Sequence, residues 1–364
     1  MNRLISDIRY VFGNDSGAGK PKNDTKVSIS KGICIILMVM GHSECPTFLH
    51  DFIYLFHMPF FFFISGWFCK QSSVFWGNGG LSVKVLKRIK RLYLPFIIYC
   101  LAFMALSFTS KACSGIDYFG VKTITAPLII KVFVNMDPPT DLLGATWFIR
   151  SLFFAAVLID ISFYLLRKVR HAEYYLLAVF LTIAVWMKSF PPGTPFIRQL
   201  ALIFYGGAFF LLGCCFKDLF SKLSDKVLTL PICIILLVIE TLLTPNSMLK
   251  VNGTWDSLLY FFEAIPGILL VLIISSYVDN LKATKNVLSY IGLNTRVILF
   301  LHFTAFIVIN ILAVTLKDLD SSLITSFPVI HSLNGCWWIL YTIAGSSIPL
   351  LLKYCSTKLR LNRK

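Results

Sequence analysis

The chain alternates long apolar stretches with short polar connections along almost its whole length. Because about 20 apolar residues span a bilayer as a helix, the pattern predicts an all-α polytopic membrane protein with about ten transmembrane helices. The segment 288–316 is long enough to tilt, or to break near Asn310. The predicted crossing segments are residues 28–47, 52–70, 93–110, 145–166, 174–188, 198–216, 227–244, 258–278, 288–316 and 335–355.

The positions of Lys and Arg predict how these helices are oriented. Basic residues concentrate in the N-terminal tail and in every second connection after it, and they are sparse in the connections between. Cytoplasmic regions of membrane proteins carry such an excess, so we expect both termini in the cytoplasm. The predicted parts are a basic tail at 1–27, a transmembrane domain at 28–355 and a second basic tail at 356–364.

Composition agrees with a membrane protein and narrows its partners. Of the 364 residues, 57% are hydrophobic and 14% are charged, against about 45–50% and about 25% in soluble domains. The net charge of +16 suits anionic membrane lipids, and we do not expect nucleic acid as a partner. The ten cysteines have no metal-ligand spacing, so we predict neither a metal nor a disulfide framework.

Several ionisable side chains lie inside the apolar segments, where charge is costly and usually marks a site. At about 1.5 Å of rise per residue, His42, His57, His302, Glu240 and Glu263 fall in one layer near the membrane midplane. A lone histidine there could simply bond a neighbouring carbonyl group. Five such groups at one depth indicate a shared site instead. His42 is the main candidate for chemistry, and the other two histidines could act directly or support it.

The first segment connects a basic residue to His42. Lys31 lies about three helical turns before His42, so both project from one face of a helix. A cation at the cytoplasmic mouth below a base suits a long ligand with an anionic head. Pro46 disfavours helix at the residue before it, so we expect the segment to fray past Gly41. With that fray Glu44 could orient His42. On a regular helix Glu44 would be a wetted loop acid, and both interpretations stay open.

A basic stripe precedes the third segment, in the stretch GLSVKVLKRIKRLYLPF. Lys84, Lys87, Arg88 and Arg91 recur at helical spacing with apolar residues opposite, which predicts an amphipathic helix at the membrane surface. Anionic lipid headgroups are its simplest partner. The alternative is a dock for a phosphorylated ligand, in which the two arginines make bidentate contacts.

Four further residues are placed by the same reasoning. Trp147 and Arg150 lie where the fourth segment enters from outside. A tryptophan there is an ordinary interfacial anchor, and Arg150 could line an outward-facing mouth. Asp160, in the inner half of that segment, most simply pairs with the basic connection. Arg296 either snorkels toward the cytoplasm or faces a cavity.

These stretches, in this order, resemble the membrane acyltransferase family 3, including its fucose 4-O-acetylase-like branch. The matching stretches are KGICIILMVMGHS, FIYLFHMPFFFFISGWF, KRIKRLYLPF, ATWFIRSLF and YIGLNTRVILFLH. The resemblance implies a ten-helix enzyme of the bacterial inner membrane. Such an enzyme moves an acyl group, usually acetyl, from cytoplasmic acyl-CoA to a hydroxyl of a cell-envelope glycan or lipid-linked sugar.

The resemblance also implies roles for single residues. His42 corresponds to the catalytic histidine, Lys31 to the basic partner below it, and Arg88 and Arg91 to arginines on the acyl-CoA side. Lys31 stands where the family often has Arg, so a bidentate contact is lost there. We expect acetyl-CoA as donor, with His42 removing the acceptor proton or being transiently acylated. The candidate catalytic residues are His42, Glu44 and His57, and the candidate substrate-binding residues are Lys31, Arg88, Arg91, Trp147, Arg150, Glu240, Glu263 and His302.

Two other classes of protein fit the same residues. Intramembrane His and Glu also serve proton-coupled transport, so a transporter or exporter of an acyl donor or lipid-linked glycan is an alternative. A non-catalytic partner in polysaccharide export is another, in which the basic stripe would only anchor the chain. In the acyltransferase interpretation, the outer connections at 110–144, 245–257 and 317–334 are expected to shape the choice of acceptor.

Overall fold

A computed structural model gives the structure of most of the chain. Over the part that it describes, every regular element is a helix and no strand is present, which confirms the all-α prediction there. Most of the predicted tail at 1–27 and the last residues of the tail at 356–364 lie outside that part. The described residues are 22–69, 80–191, 194–333 and 335–361.

The α-helices are numbered here in chain order. Short π-helical turns at Ile89–Tyr93 and Lys131–Asn135 and 3₁₀ turns at Asp141–Thr146 and Ser321–Thr325 connect or extend them. The helices are α1 (Lys22–Gly41), α2 (Thr47–Tyr54), α3 (His57–Gly66), α4 (Gly80–Arg88), α5 (Leu94–Ser114), α6 (Ala126–Ile130), α7 (Trp147–Leu165), α8 (Ala172–Lys188), α9 (Pro195–Ser224), α10 (Thr229–Leu243), α11 (Thr254–Val278), α12 (Lys282–Leu293), α13 (Thr295–Lys317) and α14 (Trp337–Leu361).

Each predicted crossing segment coincides, over most of its length, with one or two of these helices. The helices α1, α8, α10 and α14 occupy four of the predicted segments but are either too short or not apolar enough to meet a strict criterion for crossing a membrane. Ten crossings and the cytoplasmic position of both termini therefore stay predictions. Among the described residues, six helical stretches meet that criterion, namely Thr47–Gly66, Gly80–Ser114, Asp141–Leu165, Pro195–Ser224, Thr254–Val278 and Thr295–Lys317.

The long late segment is interrupted at Asn294. Helix α12 ends at Leu293 and α13 begins at Thr295. The Asn294 side chain stabilises this interruption, because its amide group forms one hydrogen bond with α12 and one with α14. Its Nδ2 donates to Tyr290 O at 2.7 Å, and its Oδ1 accepts a hydrogen bond from Lys353 Nζ on α14.

Of the two alternatives predicted for this segment, a tilt or a break near Asn310, the break at that residue is wrong. Asn310 is buried within the intact helix α13. Its Nδ2 donates to the carbonyl oxygens of Ile324 and Ser326 at 3.0 and 3.1 Å, and its Oδ1 accepts from Tyr341 Oη at 2.6 Å. A polar side chain that finds partners on neighbouring segments is accommodated without any change in its own helix.

Two helices organise the packing. Helix α1 packs against α2, α3, α11, α12, α13 and α14, and α9 packs against α3, α7, α8, α10 and α11. The contact of α1 with α12 requires glycine, since a Cβ on Gly32 would lie 2.2 Å from Leu288 O and one on Gly292 would lie 1.7 Å from Ser28 O. Close approach through small residues is typical of helices in membranes. Helix α3 contacts both α1 and α9, so it lies between these two helices.

Candidate active site

His42 is the first residue after helix α1. The helix ends at Gly41, His42 N bonds to Val39 O at 3.1 Å, and Glu44 adopts a left-handed backbone with φ of 56°. This confirms the predicted fray, and the cause is Pro46, which restricts the residue before it. The imidazole therefore stands at a helix end, where it is partly exposed.

Tyr54, the last residue of α2, is a hydrogen-bond partner of His42. Its Oη lies 3.3 Å from His42 Nδ1 and 3.5 Å from Gly41 O. His50 stacks on the Tyr54 ring with centroids 4.0 Å apart, and His50 Nδ1 lies 2.9 Å from Asp51 Oδ1. A chain of polar side chains thus runs along α2 to His42.

Neither Tyr54 nor His50 was among the predicted site residues. The signal was available, because His50, Tyr54 and His57 recur at i, i+4 and i+7, which places them on one helical face. Aromatic residues at this spacing are usually core. These three differ from ordinary core residues because each carries a polar group and all lie close in sequence to His42.

His57 lies at the start of α3 and is buried. Its Nδ1 lies 2.8 Å from Ile53 O, so Nδ1–H donates to that carbonyl and Nε2 keeps a lone pair. Its ring contacts Tyr54, with centroids 4.8 Å apart. Because His57 Nδ1 is held by a backbone carbonyl and the ring packs on Tyr54, the contacts of His57 support a role in placing Tyr54 more than direct chemistry.

His302, on α13, is stacked against His42. The ring centroids are 5.5 Å apart at an angle of 29°. His302 Nδ1 lies 3.0 Å from Leu299 O and 3.1 Å from Ile298 O, while its fully buried Nε2 has no hydrogen-bond partner among the described residues. Phe303 completes the wall, with its ring centroid 5.0 Å from that of His42. The structure thus brings together the three predicted histidines.

A cleft opens beside these histidines. Its empty volume is about 430 Å³, open space at its mouth included. A mostly apolar concavity with a few polar groups is typical of a small-molecule site. Ser247, Met248 and Leu249 close one side, and they belong to the connection between α10 and α11 that was expected to shape acceptor choice. The remaining lining residues are Met38, His42, Tyr54, His57, Met58, Ala145, Trp147 and Leu299.

Trp147 and Arg150, predicted together, lie in different surroundings. Trp147 lines the cleft. Arg150 is buried and forms an ion pair with Asp137, in the connection that leads into α7. Since a buried arginine needs such a partner, the ion pair fixes that connection against the helix, and Arg150 does not line the cleft.

Glu44 bonds to a residue other than His42. Its Oε1 accepts a hydrogen bond from Nδ1 of His331, which lies in the connection between α13 and α14. Of the two interpretations left open, the geometry matches the exposed loop acid, since Glu44 is 42% exposed. The group at His42 Nδ1 is Tyr54 Oη instead.

Glu240 and Glu263 lie on the adjacent helices α10 and α11 and do not line the cleft. Thr244 links them, because its Oγ1 lies 3.3 Å from Glu263 Oε1 and 3.5 Å from Glu240 O. Their depth in the membrane was inferred from helix rise alone. Rise gives the level of a residue and not its lateral position, so a shared level did not mean a shared site.

The basic stripe forms α4 and the π-helical turn after it, and Asp160 neutralises part of it. Arg88 Nε lies 3.0 Å and Lys84 Nζ 3.7 Å from the carboxylate of Asp160, which is fully buried. This confirms that Asp160 pairs with the basic connection. Arg91 is exposed, and its backbone oxygen accepts from Arg296 Nη1 at 3.1 Å.

Lys31 lies on α1, partly buried, about three helical turns before His42. Over the residues that the structure covers, no group of three or more His, Cys, Asp or Glu side chains could hold a metal ion. Of the three predicted histidines, His42 and His57 line the cleft, and His302 packs against His42.

Apolar helices long enough to cross a membrane, together with a histidine-lined cleft, define a multi-pass membrane protein with a candidate active site. The model of the acyltransferase 3 family, described as an acyltransferase domain, matches residues 26–354, and the chain belongs to this family. The nodulation protein NolL of Mesorhizobium japonicum is 28% identical over 155 residues. That match covers 40% of this chain and 37% of the relative, so the chain spans well under half of the relative's length. No solved structure matches.

Proposed function

We propose that this membrane acyltransferase moves an acyl group from acyl-CoA, taken from the cytoplasm, to a hydroxyl of a cell-envelope glycan or lipid-linked sugar. Acetyl-CoA is the expected donor. The observation that carries the proposal is a partly exposed imidazole, His42, in the wall of a mostly apolar cleft within the span that matches the acyltransferase family.

The hydrogen bonds of Tyr54 favour the tautomer that a base requires. Tyr54 Oη can donate its own proton to Gly41 O, which leaves an oxygen lone pair for His42 Nδ1–H. In that arrangement the other ring nitrogen, Nε2, carries the free lone pair. Tyr54 thus takes the orienting role that a carboxylate has in other histidine-based sites.

The proposed reaction is a direct transfer. His42 Nε2 removes the proton of the acceptor hydroxyl as its oxygen attacks the thioester carbonyl. The carbon–sulfur bond then breaks, and the departing thiolate of CoA takes the proton from the imidazolium. A thioester already has a good leaving group, so the main demand is the activation of the hydroxyl near neutral pH, which suits histidine.

The apolar lining serves this reaction by limiting water. Met38, Met58 and Leu299 are among the apolar residues that line the cleft. Water that reached the thioester would hydrolyse it, and a closed, dry site suppresses such side reactions. His302 and Phe303 pack against the His42 ring and restrict its rotation.

The proposal includes an orientation in the membrane. Ten crossings with both termini in the cytoplasm would put the basic helix α4 on the side where acyl-CoA is made, in the inner membrane of a bacterium. Single cysteines introduced at exposed positions, such as Lys87 on α4 and Asp256 at the start of α11, test this orientation. With the exposed native Cys113, Cys336 and Cys355 replaced by Ser, membrane-impermeant thiol reagents added to intact cells should label position 256 and not position 87.

A covalent product separates the enzyme from a transporter. Membranes that contain the protein are incubated with acetyl-CoA labelled in the acetyl group, and the glycan fraction is then isolated. An enzyme leaves the label covalently on the glycan, released by mild alkali as an ester. Label that crosses the membrane while still attached to CoA would support the transporter instead.

A further inference from the structure

Three basic residues meet around the connection between α10 and α11. Lys188, the last residue of α8, donates from Nζ to Met248 O at 3.0 Å. Arg198, in the first turn of α9, donates from Nη2 to Leu249 O at 3.4 Å. The third, Lys250, follows Leu249 in the chain and is exposed. Basic residues of α8, α9 and the connection itself therefore converge on one short stretch of backbone.

This cluster lies at the mouth of the cleft that contains His42. Met248 and Leu249 both line the cleft, and Met248 is 1% exposed whereas Leu249 is 37% exposed. The lining therefore passes from the interior to the surface between these two residues. Arg198 is itself exposed and bonds the carbonyl of the outer one, so its guanidinium group lies at that edge of the cleft.

Within the part of the chain that the structure describes, no acidic side chain forms an ion pair with Lys188, Arg198 or Lys250. The side chains of Lys188 and Arg198 bond to backbone carbonyl oxygens, which orient a cation without cancelling its charge. Lys188 is only 4% exposed, and Arg198 is close enough for the two charges to repel. Because a buried charge is usually paired, this arrangement favours an anion as the missing partner.

The rule that orients membrane proteins does not account for these cations. Basic residues are sparse in the connections that the sequence predicts to lie outside, as the rule requires. The structure nevertheless brings together basic residues from the α8–α9 and α10–α11 connections and their helix ends, which are both predicted to be outside. Their convergence at the cleft indicates a ligand there.

We propose that Arg198 and Lys250 bind a phosphate group of the acceptor at the mouth of the cleft, while Lys188 adds its buried charge. The inference rests on the proposed function and specifies a phosphate-bearing acceptor. The guanidinium fork of Arg198 matches two phosphate oxygens, and among the described residues it uses one donor, on Leu249 O. Leu249 lines the same cleft as His42, so a phosphate bound here brings the hydroxyls of the attached sugar to the cleft.

Binding of farnesyl diphosphate to the purified full-length protein in nanodiscs of zwitterionic lipid tests the inference. Excess CoA is present, so that the probe does not bind on the donor side. Arg198→Gln should raise the Kd by about tenfold, as expected for one lost charge-assisted contact. Lys250→Gln should raise it by about threefold, because an exposed lysine contributes less. Farnesol, which has no phosphate, should bind all variants alike.

Lys122→Gln is the matched control. Lys122 is an exposed lysine in another predicted outer connection, and its replacement changes the net charge by the same amount. Its loss should leave the Kd for farnesyl diphosphate within about twofold, since a solvent-exposed cation away from the ligand contributes little. An increase equal to that of Arg198→Gln would show that the probe responds to overall charge, and the inference would be overturned.

Inorganic diphosphate distinguishes two sources of the phosphate. Weaker binding than that of farnesyl diphosphate identifies a lipid-linked phosphate, and equal binding identifies a phosphate within the glycan. Either result supports the inference when Arg198→Gln weakens it. If phosphatidylglycerol added to the nanodiscs displaces the probe, the site takes a lipid headgroup and the inference is overturned.

Transfer of labelled acetyl groups separates this inference from the proposed function. If folded wild-type protein places no label on the glycan, the proposed function fails. If it transfers acetyl, and the Arg198→Gln/Lys250→Gln variant binds farnesyl diphosphate as the wild type does, only the inference fails. The same holds if the wild type binds the probe only without CoA. Should the double variant not fold, Lys250→Gln and the charge-conserving Arg198→Lys decide: the first should weaken binding and the second should retain it.

Discussion

Replacement of Arg88 should destabilise the protein, because Arg88 is the nearer partner of a buried carboxylate. Asp160 is fully buried, with Arg88 Nε at 3.0 Å and Lys84 Nζ at 3.7 Å. Removing one partner of a buried ion pair costs about 3–5 kcal/mol. Since Lys84 remains, we expect about 3 kcal/mol for Arg88→Ala, which lowers the thermal unfolding midpoint by roughly 5 °C or more.

A second substitution should restore much of that stability. In Arg88→Ala/Asp160→Asn the buried charge is gone together with its partner, so the loss should be smaller than for Arg88→Ala alone by about 2 kcal/mol. Lys87→Ala, an exposed position on the same helix, serves as the control and should leave the midpoint unchanged. The assay is thermal unfolding of purified protein at one scan rate, with the Kd for CoA measured on the same samples.

The resemblance to the family assigns Arg88 to the acyl-CoA side, and this experiment separates that role from a structural one. If Arg88 mainly positions α4, the double variant regains both stability and CoA affinity. If Arg88→Ala keeps the wild-type midpoint and loses CoA binding, and the added Asp160→Asn does not restore that binding, the reasoning from the buried ion pair is refuted.

Three further predictions concern the cleft and its surroundings. Tyr54→Phe removes the oxygen at His42 Nδ1 and should lower kcat for acetyl transfer by roughly tenfold without changing the Kd for CoA; wild-type kcat would contradict the tautomer argument. Lys188 is buried and donates from Nζ to Met248 O at 3.0 Å and Val251 O at 2.9 Å, so Lys188→Met should release the connection that lines the cleft and raise the acceptor KM by about tenfold, while acceptor-free hydrolysis of acetyl-CoA persists. An unaltered acceptor KM would show that this connection does not contact the acceptor. Glu44→Gln breaks only an exposed pair with His331 and should change transfer by less than about threefold; a loss as large as that of His42→Ala would make Glu44 the orienting acid after all.

Much of the fold followed from apolar segments and basic connections. Helix positions were predictable because membrane crossing imposes a minimum apolar length, and the end of α1 was predictable because Pro46 restricts its predecessor. The interruption at Asn294 was not, since it depends on a bond to Lys353 from a helix distant in sequence. The break at Asn310 was wrong for the same reason. Asn310 has its hydrogen-bond partners on other segments, and the local sequence does not reveal them.

The candidate site was predictable only where side chains at the same depth in the membrane also contact one another. His42 and His57 line one cleft, and His302 packs against His42. Glu240 and Glu263 were predicted at the same level but do not line the cleft, because helical rise gives the level of a residue and not its lateral position. Tyr54 was missed because an aromatic residue in an apolar segment ordinarily belongs to the core, and only its contact with His42 Nδ1 shows otherwise.

The rate of acetyl transfer by the His42→Ala variant tests the central claim most directly. His171 is an exposed histidine in the turn before α8, and His171→Ala is the matched control. The account predicts that His42→Ala binds CoA like the wild type and loses at least about 100-fold in acetyl transfer, the usual contribution of a general base. Added imidazole, which fits a cleft that has lost a side chain, should restore part of the activity. Full transfer by folded His42→Ala would contradict the account, whatever the control shows.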